Sequence, residues 1–312
     1  IHISDAYYLL TALNIFDKVE NVTSIYLDSY IKGMLPDIIS SNLGSLQEKK
    51  KRFMLSLEII YDSVNKSIID TRLRKTIGTV RKNYSYDNYP KKYNKYFRCI
   101  SEIYSQVTTQ DIEITDSHKF IEALMIIYNT LFSQSTTKKS IKIYRIQQHN
   151  YDKKTFTSCD KSLKHFMDLI QSNSALYSTE KQGHSTLEIC NYTHATSPLR
   201  RIVDLMNQEI FYSNQCKLLK NIDLDYINLF NKSLKKAYRE IHKVLLAFEV
   251  YNNDSYQTKC YIYDFNSENN SCYLYFPSEN ISIKTKLISY KLADKFIIEK
   301  NNNKIVLTCE EN

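Results

Sequence analysis

The spacing of apolar residues changes period twice along this chain, and that change confines it to an α+β fold. Over the first sixty residues, β-type runs alternate with turns: Ile1 to Leu10 reads as a half-buried strand, Ser24 to Leu27 as a short one, and Arg52 to Tyr61 has strand composition and length. The stretch from Tyr84 to Tyr96 is aromatic, basic and broken by Pro90, which predicts a surface loop. Helical spacing then takes over. Asp116 and Ser117 can cap a helix from His118 to about Gln134, with Phe120, Ala123, Leu124, Ile127, Tyr128 and Leu131 on its core face. A second helix is expected from Ser197-Pro198 through about Tyr212, with Ser as cap and Pro at the first position. A third is expected from Tyr226 to about Phe248, its stripe of Ile227, Phe230, Leu234, Ile241, Val244 and Phe248 facing the same core. From Val250 onward short β-runs return, separated by Asn, Ser and Asp clusters. Five such runs suit a small all-β barrel of OB type over residues 251–312, following a domain of mixed sheet and packed helices over 1–250.

Composition narrows what such a fold can do. The four glycines are scattered, so neither a P-loop nor a dinucleotide-binding glycine loop is present. Seven cysteines, none at CxxC spacing, read as free thiols rather than as a disulfide frame or zinc site. Reduced thiols imply an intracellular setting, cytoplasmic or nuclear. No apolar run reaches the roughly 18 residues of a bilayer span, so no membrane partner is expected. The formal net charge of +8 favours a polyanionic partner, because each Lys or Arg set against a phosphate releases counterions. Position 1 is Ile within a strand-like run, and the natural N-terminus is expected upstream of it.

The segment richest in chemistry is YTHATSPLRRIVD, Tyr192 to Asp204. Thr196 or Ser197 would cap a helix whose free N–H groups, with Arg200 and Arg201 on the first turn, make an anion site. An arginine fork grips phosphate bidentately, and Asp204, four residues from Arg200, is placed to hold that guanidinium. Arg201 would then face a distal phosphate or solvent. A plain capped helix with a surface ion pair satisfies the same residues.

This segment resembles the Tyr-Thr-His-x-Thr-Ser-Pro-Ile-Arg-Arg signature of the RNase II/RNB exoribonucleases. Seven further matches precede it in the family's order: IHISD at 1–5, TSIYL at 23–27, MLPDIISSNLGSL at 34–46, RFMLSLEI at 52–59, SYD at 85–87, SHKFIEALMIIYN at 117–129 and IYRIQ at 143–147. The resemblance covers roughly residues 1–250, and the trailing β-run sits where the family carries an S1-like domain.

The resemblance implies 3′→5′ hydrolysis of single-stranded RNA to nucleoside 5′-monophosphates with two magnesium ions, and membership of an RNA-degradation complex is conceivable within it. The family's metal-binding aspartates lie upstream of the segment matching IHISD, so Mg²⁺ ligands are expected before Ile1 and Asp5 is not one of them. Arg200 matches the arginine at the scissile phosphate, whose fixed positive charge would stabilise the transition state. Tyr26 and Tyr86 match tyrosines along the RNA path, whereas composition alone would make both core residues. Glu122 matches one of two adjacent glutamates, the second here being Ala123. His194 lies within the signature and serves either a phosphate or a neighbouring carbonyl; Thr196, Ser197 and Arg201 complete the expected RNA contacts. Gly44 stands where the family commonly has Cys. The other reading is an inactive RNB fold that holds RNA or a protein partner.

Overall fold

The computed structural model describes residues 1–27, 30–136, 141–148, 161–213, 217–218, 223–253, 256–266, 271–286, 295–301 and 304–309. Helices and sheets are mixed, as the change of period requires. They form two compact units, one of Ile1–Gln148 with Ser174–Asn228 and the other of His149–Asn173 with Leu229–Asn312. No helix among the described residues is long and apolar enough to cross a membrane.

The first unit begins with β1 (His2–Ser4) and α1 (Ala6–Leu13), not with one strand to Leu10. Asp5 ends the strand because its carboxylate accepts the Tyr8 N–H at 3.1 Å, the side-chain cap that starts a helix. A ribbon of β2 (Ile25–Leu27) and β3 (Tyr30–Lys32) follows, then a π-helix at Ile38–Leu43. β4 (Lys51–Asp62) pairs antiparallel with both β1 and β5 (Ser67–Thr79). Alternation puts Ile3, Leu55, Leu57 and Leu73 on one face of this sheet, where they meet the core. The loop expected at Tyr84 to Tyr96 is irregular up to Pro90 and closes as a 3-10 turn at Lys91–Tyr96.

Against the sheet lie α2 (Phe97–Thr108) and α3 (Ser117–Ser135). The cap of α3 is Asp116, whose Oδ1 accepts the Lys119 N–H at 2.9 Å. Tyr128, fully buried on α3, donates to the Leu55 carbonyl at 3.1 Å and fastens helix to strand. A short ribbon of β6 (Tyr144–Ile146) and β7 (Leu176–Ser178) brackets the chain's excursion through the second unit, which carries α4 (Lys161–Gln171).

The next helix, α5, runs from Ile202 to Ser213 and so starts four residues later than the Ser197-Pro198 expectation. The physical reason is a backbone pairing. Ser24 N–H donates to the Arg200 carbonyl at 2.9 Å and Ile202 N–H to the Val22 carbonyl at 2.9 Å, which holds residues 200–202 extended against 22–24. Pro198 to Arg200 is therefore a turn. Residues Ile202 through Ile210 are all buried, Asp204, Asn207, Gln208 and Glu209 included, so α5 runs through the centre of the unit with polar side chains inside.

α6 (Leu224–Asn252) forms as expected, with Ile227 buried, but Val244, Leu245 and Phe248 are exposed. The stripe on this helix reports its period, not a shared core. The second unit holds a five-stranded antiparallel sheet of β8 (Gln257–Asn266), β9 (Ser271–Phe276), β10 (Ile281–Lys286), β11 (Lys295–Asn301) and β12 (Lys304–Cys309), in the order β10-β9-β8-β11-β12. Cys260, Ile262, Cys272, Leu274 and Phe276 form the apolar cluster on one face.

Candidate functional site

Two buried asparagine side chains and one strand's backbone fix the signature segment from three directions. From α5, Asn207 Nδ2 donates to Thr193 Oγ1 at 2.7 Å, to the His194 carbonyl at 3.0 Å and to the Ile143 carbonyl at 3.1 Å. From α3, Asn129 accepts the Ala195 N–H at 2.9 Å and donates to the Tyr192 hydroxyl at 3.1 Å. From β6, the Arg145 N–H donates to the Tyr192 carbonyl at 2.9 Å. The backbone of residues 192–195 is therefore set before any ligand arrives.

Downstream of this frame the two arginines part company. Asp204, fully buried at the start of α5, accepts from Arg201 at 2.8 Å and from the Ser197 N–H at 2.7 Å. The sequence expectation that Asp204 orients Arg200 is thus corrected: its partner is Arg201. That expectation assumed helical spacing from residue 198, and the extended pairing at 200–202 removes the spacing. Burial works against the charge on Arg201, but the Asp204 carboxylate, with Tyr177 and Tyr192 beside it, outweighs burial and raises the guanidinium above its ordinary pKa. Arg201 is half-buried, and its side chain lines the second cleft. Arg200 is exposed, and its guanidinium makes no hydrogen bond or ion pair among the described residues.

The residues singled out in the sequence gather in two clefts on either side of the signature segment. One, of about 370 Å³, takes Tyr26, Thr196, Ser197 and Arg200, with His2 and the hydroxyls of Ser40 and Ser41. The other, of about 300 Å³, takes Tyr86, Glu122, His194 and Arg201, with His118 and Asn129. Tyr26 is 49% exposed and Tyr86 47%, so neither is the core aromatic that composition suggests. Tyr86 stacks on His118 with ring centroids 3.9 Å apart and planes 13° from parallel, and Ser117 Oγ holds its carbonyl at 2.7 Å. Glu122 at the edge of this cleft is exposed and paired with Lys119 at 2.8 Å.

His194 has its Nδ1 against the Tyr177 hydroxyl at 2.8 Å. Burial, reinforced by the guanidinium groups of Arg201 and Arg145, holds its pKa well below the usual histidine range, so its ring is neutral near pH 7. Arg145 lies over the Tyr177 ring at 4.6 Å. Asp5 is committed elsewhere, to the Tyr8 N–H and the Tyr212 hydroxyl, with its pKa raised chiefly by burial. Sequence reasoning passed over His118, Asn129, Arg145 and Asn207. The first three lie inside quoted motif segments; Asn207 carries no local signal, since only the fold brings it to Thr193.

This arrangement sets the exposed Arg200 in one cleft with Tyr26 and a row of hydroxyls, and lines the second with the stacked Tyr86–His118 pair and Arg201. Both suit a phosphate chain with bases. The family profile described as RNB domain matches residues 1–98 and 94–214. A curated relative, Ribonuclease R 2 of Lactococcus lactis, is 22% identical over 289 residues, covering 68% of this chain and 43% of its own length. The chain thus spans less than half of that relative. Among solved structures, Mycoplasma genitalium RNase R in complex with ribose methylated single-stranded RNA superposes with a TM-score of 0.76 at 17% identity, over 99% of this chain and 66% of that one. Yeast Ssd1, described as a pseudonuclease, superposes at 0.70 and 14% identity, over 96% of this chain and 48% of its own. At these identities the structural likeness concerns the fold, while the profile covers more than half of the residues. The chain belongs to the RNB domain family.

Proposed function

We propose that this chain is the RNA-holding part of a 3′→5′ exoribonuclease that releases nucleoside 5′-monophosphates from single-stranded RNA. The observation that carries the reading is Arg200: an exposed guanidinium, unpaired among the described residues, on a turn fixed by backbone pairing, in the same cleft as Tyr26. A preorganised cation costs no reorganisation when charge develops on a phosphate oxygen. Tyr26 and Tyr86 stack on base faces, which suits binding without sequence preference. Glu122, His194, Thr196, Ser197 and Arg201 line the path, Arg201 as a buried positive charge and His194 as a neutral hydrogen-bonding ring. The β-rich segment 251–312 adds an OB-type RNA-binding surface.

Two magnesium ions are part of the family's chemistry, and the described residues do not fit them. No group of three or more His, Cys, Asp or Glu side chains converges among these residues, and Asp5 and Asp204 are turned to Tyr212 and Arg201. Metal-holding carboxylates would have to come from outside the described residues, and no catalytic step is assigned to a metal here.

A second reading, an RNB fold that binds RNA or a partner without cleaving it, is favoured by the fold likeness to Ssd1 and by the same lack of a converging acidic group. Incubating the chain with uniformly labelled single-stranded RNA in magnesium tests its part in both. We expect binding without monophosphate release; release from this chain alone would mean that the carboxylates had been missed within it. Release by the full-length gene product, and not by the chain, separates the enzyme from the binder.

A further inference from the structure

The sheet of the second unit has two unlike faces. One is the apolar cluster around Cys260 and Leu274. The other carries Tyr261 and Tyr263 on β8 and Tyr273 and Tyr275 on β9, and the register sets Ser282 beside Tyr275 and Lys284 beside Tyr273. Lys284 reaches over the Tyr273 ring, 5.7 Å from its centroid. Aromatic faces interleaved with lysine are what single-stranded nucleic acid requires of a sheet, since every base has a face to stack and every nucleotide a phosphate to neutralise.

That face is not open. Leu163, Phe166 and Met167 of α4 are buried in one cluster with Tyr261 and Tyr275. Phe166 lies flat on Tyr275, centroids 3.8 Å apart and planes 9° from parallel, and meets Tyr263 edge-on at 5.0 Å and 81°. Aromatic side-chain pairs favour offset or edge-to-face geometries with centroids roughly 4.5–7 Å apart. The Phe166–Tyr275 pair is a parallel stack, and it occupies the tyrosine face on which a base would otherwise stack. The helix that supplies Phe166 comes from the mid-chain excursion, and so reaches the sheet from a separate stretch of sequence.

We propose that the tyrosine face of the second unit is a single-stranded RNA site held shut by its own helix, with Phe166 in the place of a base on Tyr275. The proposal rests on the reading of the β-rich segment as RNA-binding. An eleven-residue helix is too short to persist alone in water, so α4 unwinds when it leaves the sheet. A site that is open only a tenth of the time binds about tenfold more weakly than its open form, which makes α4 a brake on RNA binding.

The test is amide hydrogen exchange on the full chain with and without oligouridylate, joined to photo-cross-linking by a 4-thiouridine-substituted oligomer. RNA should speed exchange in residues 161–171, slow it in β8 to β10 and cross-link to Tyr273 or Tyr275. Phe166→Ala should raise the affinity measured through the second-unit cross-links by about three- to tenfold, and Tyr273→Ala should lower it. If Phe166→Ala unfolds the second unit, the exchange pattern of the unaltered chain decides. Cross-links confined to the first unit, with exchange in α4 unchanged, would overturn the closed site and leave the clefts as the RNA path. Cross-links in neither unit would overturn the RNA reading itself.

Discussion

At the residue scale, Arg200 and Arg201 show how one backbone turn divides two neighbouring cations between an exposed position and an ion pair with Asp204. Arg201 spends its charge on Asp204 inside the protein, so removing the acid leaves a buried guanidinium without its counter-charge. Asp204→Ala should destabilise the first unit by roughly 3–5 kcal/mol, read as a fall in the denaturant midpoint; a loss below about 1 kcal/mol would mean that the pair is solvated. His184 gives a pH signature. Burial, with the Arg145 guanidinium second, lowers its pKa to about 4, and its Nδ1 has no partner among the described residues. Between about pH 6.5 and 4 the unfolded chain therefore takes up a proton that the folded one refuses, and stability falls as pH falls. His184→Gln should lessen the fall of the melting temperature across that window, the remainder coming from His194, which burial also keeps neutral. An unchanged slope would show that His184 is not its source.

The helices and strands differ in how much of themselves they reveal in sequence. α3 was legible to within a residue or two because cap, period and core face all agree. The long strand β4 was equally plain, whereas β5 was missed because its arginines and lysine interrupt the apolar alternation. α5 was misplaced at its start because Ser-Pro mimics a helix opening, and only the distant partner Val22–Ser24 shows that the segment is extended. The same limit explains Gly44. A Cβ there would lie 2.5 Å from a Leu199 methyl and 2.9 Å from the Ile39 carbonyl, so a side chain in the turn after the π-helix would force Leu199 or the backbone to shift. Gly44→Ala should cost about 1–3 kcal/mol through overpacking and loosen the floor of the Tyr26 cleft; a variant as stable as the parent, with RNA affinity unchanged, would show that Leu199 simply moves aside. The motif singled out Arg200, which the structure places exposed in the cleft with Tyr26. The site was not legible where a residue's role is set by a fold contact, as at Asn207.

For the whole molecule, the net charge of +8 would make the proposed RNA binding electrostatic in its main part. Affinity should fall steeply and log-linearly with salt, with a slope reduced by about one for each phosphate-contacting arginine or lysine removed. A flat salt response would point to a protein partner instead of RNA. The most direct measurement of the central claim is single-turnover cleavage of 5′-labelled single-stranded RNA by the full-length gene product carrying Arg200→Lys, beside the unaltered protein. Lys keeps the charge and loses the planar fork, so RNA affinity should stay within about twofold while cleavage slows roughly a hundredfold. An unchanged cleavage rate, or a loss of binding as large as the loss of rate, would contradict the assignment of Arg200 as the catalytic cation.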